Sequence, residues 1–520
     1  MQIYSFSPFG YEGALVSVEV DLRRGIPAVD IVGLADGAIK ESRERMRSAI
    51  RNSGFEFPPE RVLISLSPAD LKKEGAGFDL PIALAVLSKS LCSDGEENHY
   101  LNQDSILILG ELELNGNVRP VRAVHAATTT AFEMGIKKCI VPSANLEEAK
   151  EVKGMKVFGA DTLSDAFQAL LNDELFTSSL SDQEKSTLPQ GAVEVDGIFF
   201  PAVDSTMEYG DVKNQERLVR ALQIAAAGRH NLMAYGPPGC GKTLALQKFQ
   251  SLLPLLTVDE AQSVTRIYSI AGLLKQGQSL LRTAPFRQPH QTCSIEGMCG
   301  GGVHCIPGEI SLAHKGVLFL DEAAEFRSSV LQMLRVPLEG GSITLSRAGR
   351  STTYPANFQL LMATNPCPCG NFGSKTKLCL CSGRSIEQYW KKFSAPLLDR
   401  IDFRVHVELG ENIPSGSKGI STAELRKGIA RAVKVQKERQ GKLNSQLTPP
   451  EIEKYCSLSN EVHDLLESRS SSYGFSPRSL AGCIKVSRTI ADMEGKAQID
   501  SDCMAEAINF RHVEEDFIMM

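Results

Sequence analysis

The sequence contains no long apolar run and very little tryptophan. Its 520 residues include one tryptophan, and aromatic residues make up 6% of the chain. No apolar run approaches the roughly 18 residues that a membrane-spanning helix needs, so no membrane partner is expected. The first residues, Met1 to Pro8, lack the basic, apolar and small-residue order of a signal peptide. We therefore expect a cytoplasmic protein.

The chain also has no excess of positive charge. Its formal net charge is −6, so there is no overall attraction to nucleic acid, and any DNA contact must come from a local basic patch. Its 42% hydrophobic and 23% charged residues are ordinary for a globular protein. The length is sufficient for about three domains.

A phosphate-binding loop lies near the middle of the chain. It fits the pattern G-x-x-x-x-G-K-[ST], follows an apolar run and precedes a helical pattern, which is the context this motif requires. Backbone N–H groups of such a loop bind the phosphates of ATP, Lys242 reaches the β- and γ-phosphates, and the Thr243 hydroxyl can hold Mg²⁺. The predicted nucleotide-binding residues are Gly236, Pro237, Pro238, Gly239, Cys240, Gly241, Lys242 and Thr243.

Two adjacent carboxylates follow a second apolar run, residues 317–320. That run predicts a strand buried on both faces, which places Asp321 and Glu322 at its carboxyl end, where open α/β sheets bind ligands. Asp321 is suited to hold Mg²⁺ and Glu322 to polarise the attacking water. A helix N-cap remains an alternative for Asp321 alone. The two segments together predict a nucleotide triphosphatase.

Residues 1–172 alternate strand-like and helix-like patterns and form a predicted first domain. The segments 75–85 and 110–121, GAGFDLPIALA and GELELNGNVRPV, resemble the α+β proteolytic domain of Lon proteases, which has the ribosomal S5 domain 2-like fold. That family uses a serine and a lysine, whose places fall here at Gly77 or Phe78 and near Ala127. None of these side chains can act as nucleophile or base, so the resemblance implies a scaffold without protease activity.

Three further units complete the predicted organisation. Residues 173–205 are polar and without periodicity, which indicates a linker. Residues 206–410 carry the nucleotide motifs, and 411–520 have a purely helical pattern. The fold class predicted for the whole chain is α/β, with a central parallel sheet and a C-terminal helical lid.

Segments along nearly the whole chain resemble the ComM/YifB family of magnesium-chelatase-like AAA+ ATPases, associated with competence and recombination. Those segments are IVGL at 31–34, KESRER at 40–45, NSGFEFPP at 52–59, PADLKKEG at 68–75 and PGEISLAH at 307–314. The resemblance implies a ring, most simply a hexamer. It also implies that Asn365 positions the hydrolytic water, that Arg400 enters the ATP site of a neighbouring subunit, and that Arg478 contacts the γ-phosphate from the lid.

A predicted β-hairpin follows the second carboxylate motif, with Arg347 and Arg350 at or near its tip. In related ring helicases a hairpin at this place points into the pore, where guanidinium groups can bind phosphates of DNA without reading sequence. Exposed arginines on a hairpin also serve solubility alone, and both interpretations stay open.

Four of the 13 cysteines lie within fifteen residues, as two C-x-C pairs. With no export signal, the others are expected to be reduced core thiols. Four clustered thiols can close a tetrahedral site, for which Zn²⁺ is the first candidate in a reducing compartment. A redox disulfide, unliganded thiols and an iron–sulfur cluster are the alternatives. The candidate ligands are Cys367, Cys369, Cys379 and Cys381.

The function expected from these observations is an ATP-hydrolysing ring that acts on single-stranded or branched DNA, by helicase activity or branch migration in natural transformation. The activity on DNA follows from the resemblance. One alternative is a chelatase-type motor that remodels a protein partner for metal insertion. An ATP-dependent protease is the other, and the missing serine and lysine argue against it.

Overall fold

The computed structural model describes residues 1–511, apart from residues 35, 70, 72, 74, 93–103, 179–187, 276, 279, 348–349, 374–376 and 409–418. Within the described residues no helix combines the length and the apolar character needed to cross a bilayer.

The first part of the chain forms a mixed eight-stranded sheet with helices packed on it. The strand order is β10-β9-β8-β5-β1-β2-β4-β3. Its strands, with the short ribbon β6–β7, are β1 Gln2–Ser7, β2 Ala14–Arg23, β3 Val29–Val32, β4 Arg61–Ser67, β5 Ser105–Ile108, β6 Glu111–Leu112, β7 Val118–Arg119, β8 Lys138–Pro142, β9 Lys156–Ala160 and β10 Thr177–Ser178. Its helices are α1 Gly37–Asn52, α2 Asp79–Cys92, α3 Val124–Glu133, α4 Leu146–Lys150 and α5 Leu163–Leu171.

Local sequence explains where these elements begin. The Asp36 side chain accepts from the backbone N–H of Ile39 and caps α1, and Thr162 with Asp165 forms a capping box on α5. The places of the Lon serine and lysine hold buried residues: Phe78 is 1% and Ala127 is 0% exposed. Neither contributes a nucleophile. The likeness of this domain to Lon proteases remains a resemblance.

A central five-stranded sheet carries the nucleotide motifs. Its order is β14-β17-β20-β13-β21, and every neighbouring pair is parallel. The strands of this region are β11 Val193–Val195, β12 Ile198–Phe200, β13 Leu232–Tyr235, β14 Phe286–Arg287, β15 Gly300–Gly301, β16 Ile306–Pro307, β17 Val317–Leu320, β18 Ser342–Arg347, β19 Arg350–Pro355, β20 Gln359–Thr364 and β21 Phe403–His406. The helices are α6 Glu216–Gly228, α7 Lys242–Gln247, α8 Val258–Ile270, α9 Ile295–Cys299, α10 Glu309–Leu312, α11 Ser328–Met333, α12 Arg335–Gly340, α13 Gly383–Trp390 and α14 Ala395–Leu398.

The last described part is helical, as expected. Its helices are α15 Thr422–Gln440, α16 Pro449–Tyr455, α17 Asn460–Tyr473, α18 Pro477–Glu494 and α19 Ser501–Arg511. They share one apolar core with α6 and with strands of the central sheet. The predicted fold class, α/β with a parallel sheet and a C-terminal helical region, is confirmed.

The segment interpreted as a linker, residues 173–205, contains short elements at both of its ends. Strand β10 pairs with β9 of the first sheet, and β11 pairs with β12. The buried Phe200 ring lies under the guanidinium of Arg426 on α15, 4.9 Å away. Residues 179–187 lie outside the described residues.

Helix α8 joins the first domain to the ATPase region. His125 Nε2 lies 2.6 Å from Gln262 Oε1, and the amide of Gln262 donates to the Glu151 carbonyl at 2.6 Å. Arg266 donates to the Tyr11 carbonyl at 3.0 Å, and its guanidinium lies 4.7 Å from the centre of the Tyr11 ring. The first domain is therefore bonded to this helix by several partly buried polar contacts.

The turn that contains Tyr11 in the first domain also contacts the hairpin β18–β19. The Tyr11 N–H donates to Thr352 Oγ1 at 3.0 Å, and the Tyr11 ring meets the buried Tyr354 ring edge-on, 5.9 Å between centres. Thr352 and Tyr354 both belong to β19. One side of the hairpin is thus fixed against the first domain.

Candidate nucleotide site

The phosphate loop begins where the fully buried strand β13 ends. Gly236 lies directly against the carbonyl of Val407, where a Cβ would be 2.0 Å from that oxygen, so only glycine fits. Helix α7 begins at Lys242, within the motif. Strand, loop and helix therefore follow one another as the sequence predicts, with the helix N-terminus at the loop.

Lys242 is only 7% exposed, and its ammonium group lies inside the loop. It donates to the carbonyls of Gly236 at 2.7 Å and Pro237 at 2.8 Å, and lies 3.5 Å from Cys240 Sγ. All three partners are uncharged acceptors or a thiol, so the positive charge remains to attract phosphate. The loop fits an ATP phosphate chain on these grounds.

The two carboxylates lie beside this loop. Thr243 Oγ1 donates to Asp321 Oδ1 at 3.0 Å, and the Glu322 N–H donates to the same oxygen at 3.1 Å. Glu322 is exposed and has a left-handed backbone, with φ 49° and ψ 46°. A hydroxyl and a carboxylate oxygen at this spacing are ligands that Mg²⁺ prefers, so the residues fit that ion.

The sheet order explains why these groups meet. Strand β20 lies between β17 and β13, so the residues that follow these three parallel strands share one edge. A cavity of about 370 Å³ opens there. Its lining residues are Pro238, Gly239, Gly241, Lys242, Thr243, Leu244, Asp321, Glu322, Ala363, Thr364 and Asn365. Asn365 therefore reaches the predicted site, whereas Arg400 and Arg478 do not line it.

Arg400 and Arg478 lie together at a different cavity, of about 560 Å³. Both guanidinium groups contact the carboxylate of Glu339 on α12: Arg400 Nη2 donates to Oε2, and Arg478 Nη2 lies 3.3 Å from Oε1. These two arginines, Arg400 first, lower the pKa of the Glu339 carboxyl and keep it ionised. Sequence reasoning missed Glu339, because its surroundings, PLEGG, indicate only a helix end.

Hydrogen bonds between the lid and the ATPase region bring the two arginines together. Ser476 and Ser479, at the start of α18, both donate to the carboxylate of Asp399, at 3.1 and 3.2 Å. The buried Arg511 donates to the carbonyls of Asp399 at 2.8 Å and Ile401 at 3.0 Å. The start of α18, and with it Arg478, is therefore held beside the segment that carries Arg400.

The predicted hairpin exists, with Arg347 paired to Arg350 at its tip. The side chains of both arginines lie outside the described residues, as do residues 348–349. Their proposed role remains a prediction from sequence.

The four clustered cysteines converge in space, and all four sulfur atoms lie within 4.8 Å of one another. Cys367 Sγ is 3.4 Å from Cys369 Sγ and 3.7 Å from Cys379 Sγ. Sulfur ligands of a tetrahedral zinc ion are about 3.8 Å apart, because Zn–S bonds are about 2.3 Å long. The backbone N–H of Asn371 lowers the pKa of the Cys369 thiol to about 6, whereas burial raises the pKa of Cys379 to about 12 and also raises that of Cys381, so Cys369 forms the metal-binding thiolate most readily of these three. The donor set fits zinc.

This cysteine cluster adjoins the nucleotide cavity. Cys367 follows Asn365 by two residues, and the Trp390 indole fixes the chain between them by donating to the Pro366 carbonyl at 3.0 Å. A Cβ at Gly370 would lie 2.8 Å from Cδ of Pro238, so the loop that carries the thiols packs tightly on the phosphate loop. The proximity of the two loops was not predicted from the sequence.

Comparison with known proteins agrees with this geometry. Three family models match: magnesium chelatase, subunit ChlI, over residues 208–413; subunit ChlI of Mg-chelatase over 18–145; and the magnesium chelatase subunit ChlI C-terminal region over 419–511. The chain is 38% identical to the competence protein ComM of Haemophilus influenzae, over 98% of this chain and 97% of that protein. It is 36% identical to YifB of Salmonella typhimurium, over 98% and 97%.

A further similarity is local: the chain is 30% identical to the DNA repair protein RadA of Escherichia coli over 116 residues, which are 22% of this chain and 23% of RadA. The full-length matches, by contrast, extend over the first domain, the phosphate loop, the carboxylates and the helical region alike. This chain therefore belongs to the ComM/YifB family of magnesium-chelatase-like, AAA+-type ATPases.

Proposed function

We propose that the protein is a cytoplasmic ring motor that hydrolyses ATP to move DNA, acting by helicase activity or branch migration on recombination intermediates during natural transformation. The observation that carries the ATPase part is the shared cavity of phosphate loop, Asp321, Glu322 and Asn365. The DNA part is supported by the name of a full-length relative, a competence protein, and more weakly by the local likeness to a DNA repair protein.

In the proposed reaction the backbone N–H groups of 236–243 bind the phosphates, and Lys242 contacts the β- and γ-phosphates. Thr243 and Asp321 hold Mg²⁺, which when bound offsets the charge of the phosphates. Glu322 accepts a hydrogen bond from the attacking water and polarises it, while the Asn365 amide orients that water. Exposure of Glu322 at the cavity edge leaves room for the water.

Arg400 and Arg478 complete the site of a neighbouring subunit in this proposal. Neither lines the nucleotide cavity of its own chain, and both contact the carboxylate of Glu339, an anion that a γ-phosphate of a neighbouring subunit could replace. An arginine that stabilises charge on the γ-phosphate is worth about 10³–10⁵ in turnover. The ring is a homo-oligomer, and we propose a hexamer.

The remaining regions also have proposed roles. Residues 1–172 form an assembly module without protease activity, followed by a linker at 173–205, the ATPase domain at 206–410 and the lid at 411–520. Zn²⁺ on the four cysteines stiffens the loop beside the phosphate loop. Arg347 and Arg350 bind DNA phosphates from the hairpin tip.

Steady-state ATP hydrolysis measured without DNA, with single strands, with duplex and with a four-way junction tests this proposal, beside Glu322→Gln as the inactive control. We expect the largest stimulation with branched DNA and a loss of that stimulation in Arg347→Ala with Arg350→Ala. Equal turnover with every substrate would overturn the DNA part. That result would favour the alternative function, remodelling of a protein partner for metal insertion, which is compatible with the match to the magnesium chelatase family model.

A further inference from the structure

Two leucines of the cysteine loop are the large apolar side chains exposed most fully in the ATPase region. Leu378 is 81% and Leu380 is 84% exposed. They flank Cys379, whose sulfur lies 3.6 Å from Cys369 Sγ, so the thiol cluster fixes the backbone that presents them. Apolar side chains of this size are stabilised when they are removed from water, so these two favour burial against a partner.

These leucines belong to a loop that lies beside the phosphate loop. The loop that carries them packs on Pro238 through Gly370, and the cavity itself has an apolar rim residue, Leu244, that is 49% exposed. We call this side of the ATPase domain the phosphate-loop face. Its exposed chemistry is an apolar rim beside the carboxylates Asp321 and Glu322.

The face that carries the two arginines has the complementary character. Val336 on α12 is 69% exposed and stands three residues before Glu339, hence on the same side of that helix. Met333, 40% exposed, ends α11 one turn earlier. We call this side, with Arg400 and Arg478, the arginine face. It offers apolar side chains beside cations.

Each face lacks what the other provides. The phosphate-loop face has carboxylates and a cavity that neither arginine lines, and the arginine face has two cations held by one carboxylate. Two copies satisfy both by joining unlike faces, which is a heterologous contact, and such contacts form a ring when the rotation between neighbouring copies closes. Charge and apolar surface therefore point to the same occupant, a second copy of this chain.

We infer that Leu378 and Leu380 of one subunit pack on Val336 and Met333 of the next, so that the cysteine loop holds the neighbour's arginines at the ATP site. This inference rests on the proposed ring, and it adds a specific contact to it. The loop then acts as an assembly element as well as a local brace.

Introduced charges test the contact. Leu380→Lys would face the arginines and Val336→Glu would face the carboxylates, so each alone should lower turnover about tenfold at fixed subunit concentration and shift sedimentation in the presence of ATP toward the monomer. The double variant should recover at least about threefold over either single, because the two new charges attract. Ile26→Glu, at an 87% exposed position of the first domain, is the matched control and should change neither quantity.

Zinc content of Leu380→Lys should equal that of the wild type, which shows that the loop has kept its fold. Unchanged assembly and turnover in both singles, or a double variant no better than the worse single, overturns the inference. The ring itself is checked separately by mixing Glu322→Gln with Arg400→Ala subunits. Recovery of turnover in that mixture, with no effect of Leu380→Lys, would reject the contact and leave the ring intact.

Discussion

The phosphate-loop face and the arginine face of the ATPase domain differ in completeness. The first gathers Lys242, Thr243, Asp321, Glu322 and Asn365 around one cavity, so it can bind and orient ATP with side chains of a single chain. The second carries two arginines that contact Glu339. Their described partners within the chain include no residue that lines the nucleotide cavity. The proposed ring accounts for this difference, because in it one subunit binds ATP and a neighbour supplies the arginines for hydrolysis.

Among the variants that test this comparison, Arg400→Ala is expected to change turnover most. Turnover should fall by about 10³ because charge on the γ-phosphate loses its partner in the transition state, while ATP affinity changes little. Steady-state hydrolysis and fluorescent-nucleotide binding measure the two quantities. Arg469→Ala, an exposed arginine on α17, is the matched control.

Mixing Arg400→Ala with Glu322→Gln subunits then tests whether Arg400 acts on the ATP site of a neighbouring subunit. A random mixture should recover about a quarter of wild-type turnover, since that fraction of interfaces joins two intact faces. Turnover no higher than the sum of the separate variants would show that Arg400 serves its own chain.

Glu322→Gln should lower turnover by about 10², because an amide polarises water far less than a carboxylate does. Binding of ATP should persist, since Lys242 and the loop are unaltered. Glu325→Gln, three residues later and also exposed, provides the control. Equal losses in the two variants would mean that Glu322 is not the residue that activates water.

Removal of the metal-site ligands should act on the phosphate-loop face alone. Cys369→Ser with Cys381→Ser should abolish zinc content and lower turnover about tenfold, because the loosened loop no longer supports Pro238. Metal analysis and steady-state hydrolysis give both values, with Cys293→Ser, a thiol outside the cluster, for comparison. Full zinc occupancy in the double variant would place the metal elsewhere.

The smallest effect is expected from Glu339→Gln. The Glu339 side chain is 59% exposed, so its pairing with the arginines is weak, and its loss should raise turnover about two- to fivefold by freeing them. The assay is steady-state hydrolysis at low subunit concentration. A decrease would instead show that Glu339 orients Arg400 for catalysis.

The sequence predicted the phosphate-loop face far better than the arginine face. Lys242, Asp321 and Asn365 each follow an apolar run, and parallel strands bring such residues to one edge of a sheet. Arg400 and Arg478 are 78 positions apart, and their meeting depends on contacts of Asp399 with Ser476 and Arg511, which no local pattern encodes. Long-range polar contacts of this kind leave no periodic signal.

The same limit explains two other features. The helices of the lid and the hairpin were predicted from periodicity and turn residues, whereas the packing of the cysteine loop on Pro238 depends on tertiary approach. The exposure of Leu378 and Leu380 could not be predicted from the sequence either, since a leucine is expected to be buried more often than not.

The hydrogen bond between Tyr11 and Thr352 has a consequence for the order of folding. It joins residues that are 341 positions apart, so a chain emerging from the ribosome has long completed its first domain before β19 exists. Until the hairpin forms, the backbone N–H of Tyr11 stays exposed to water. Docking of the hairpin is therefore a late event in the synthesis of the chain, because contacts between residues far apart in sequence form slowly.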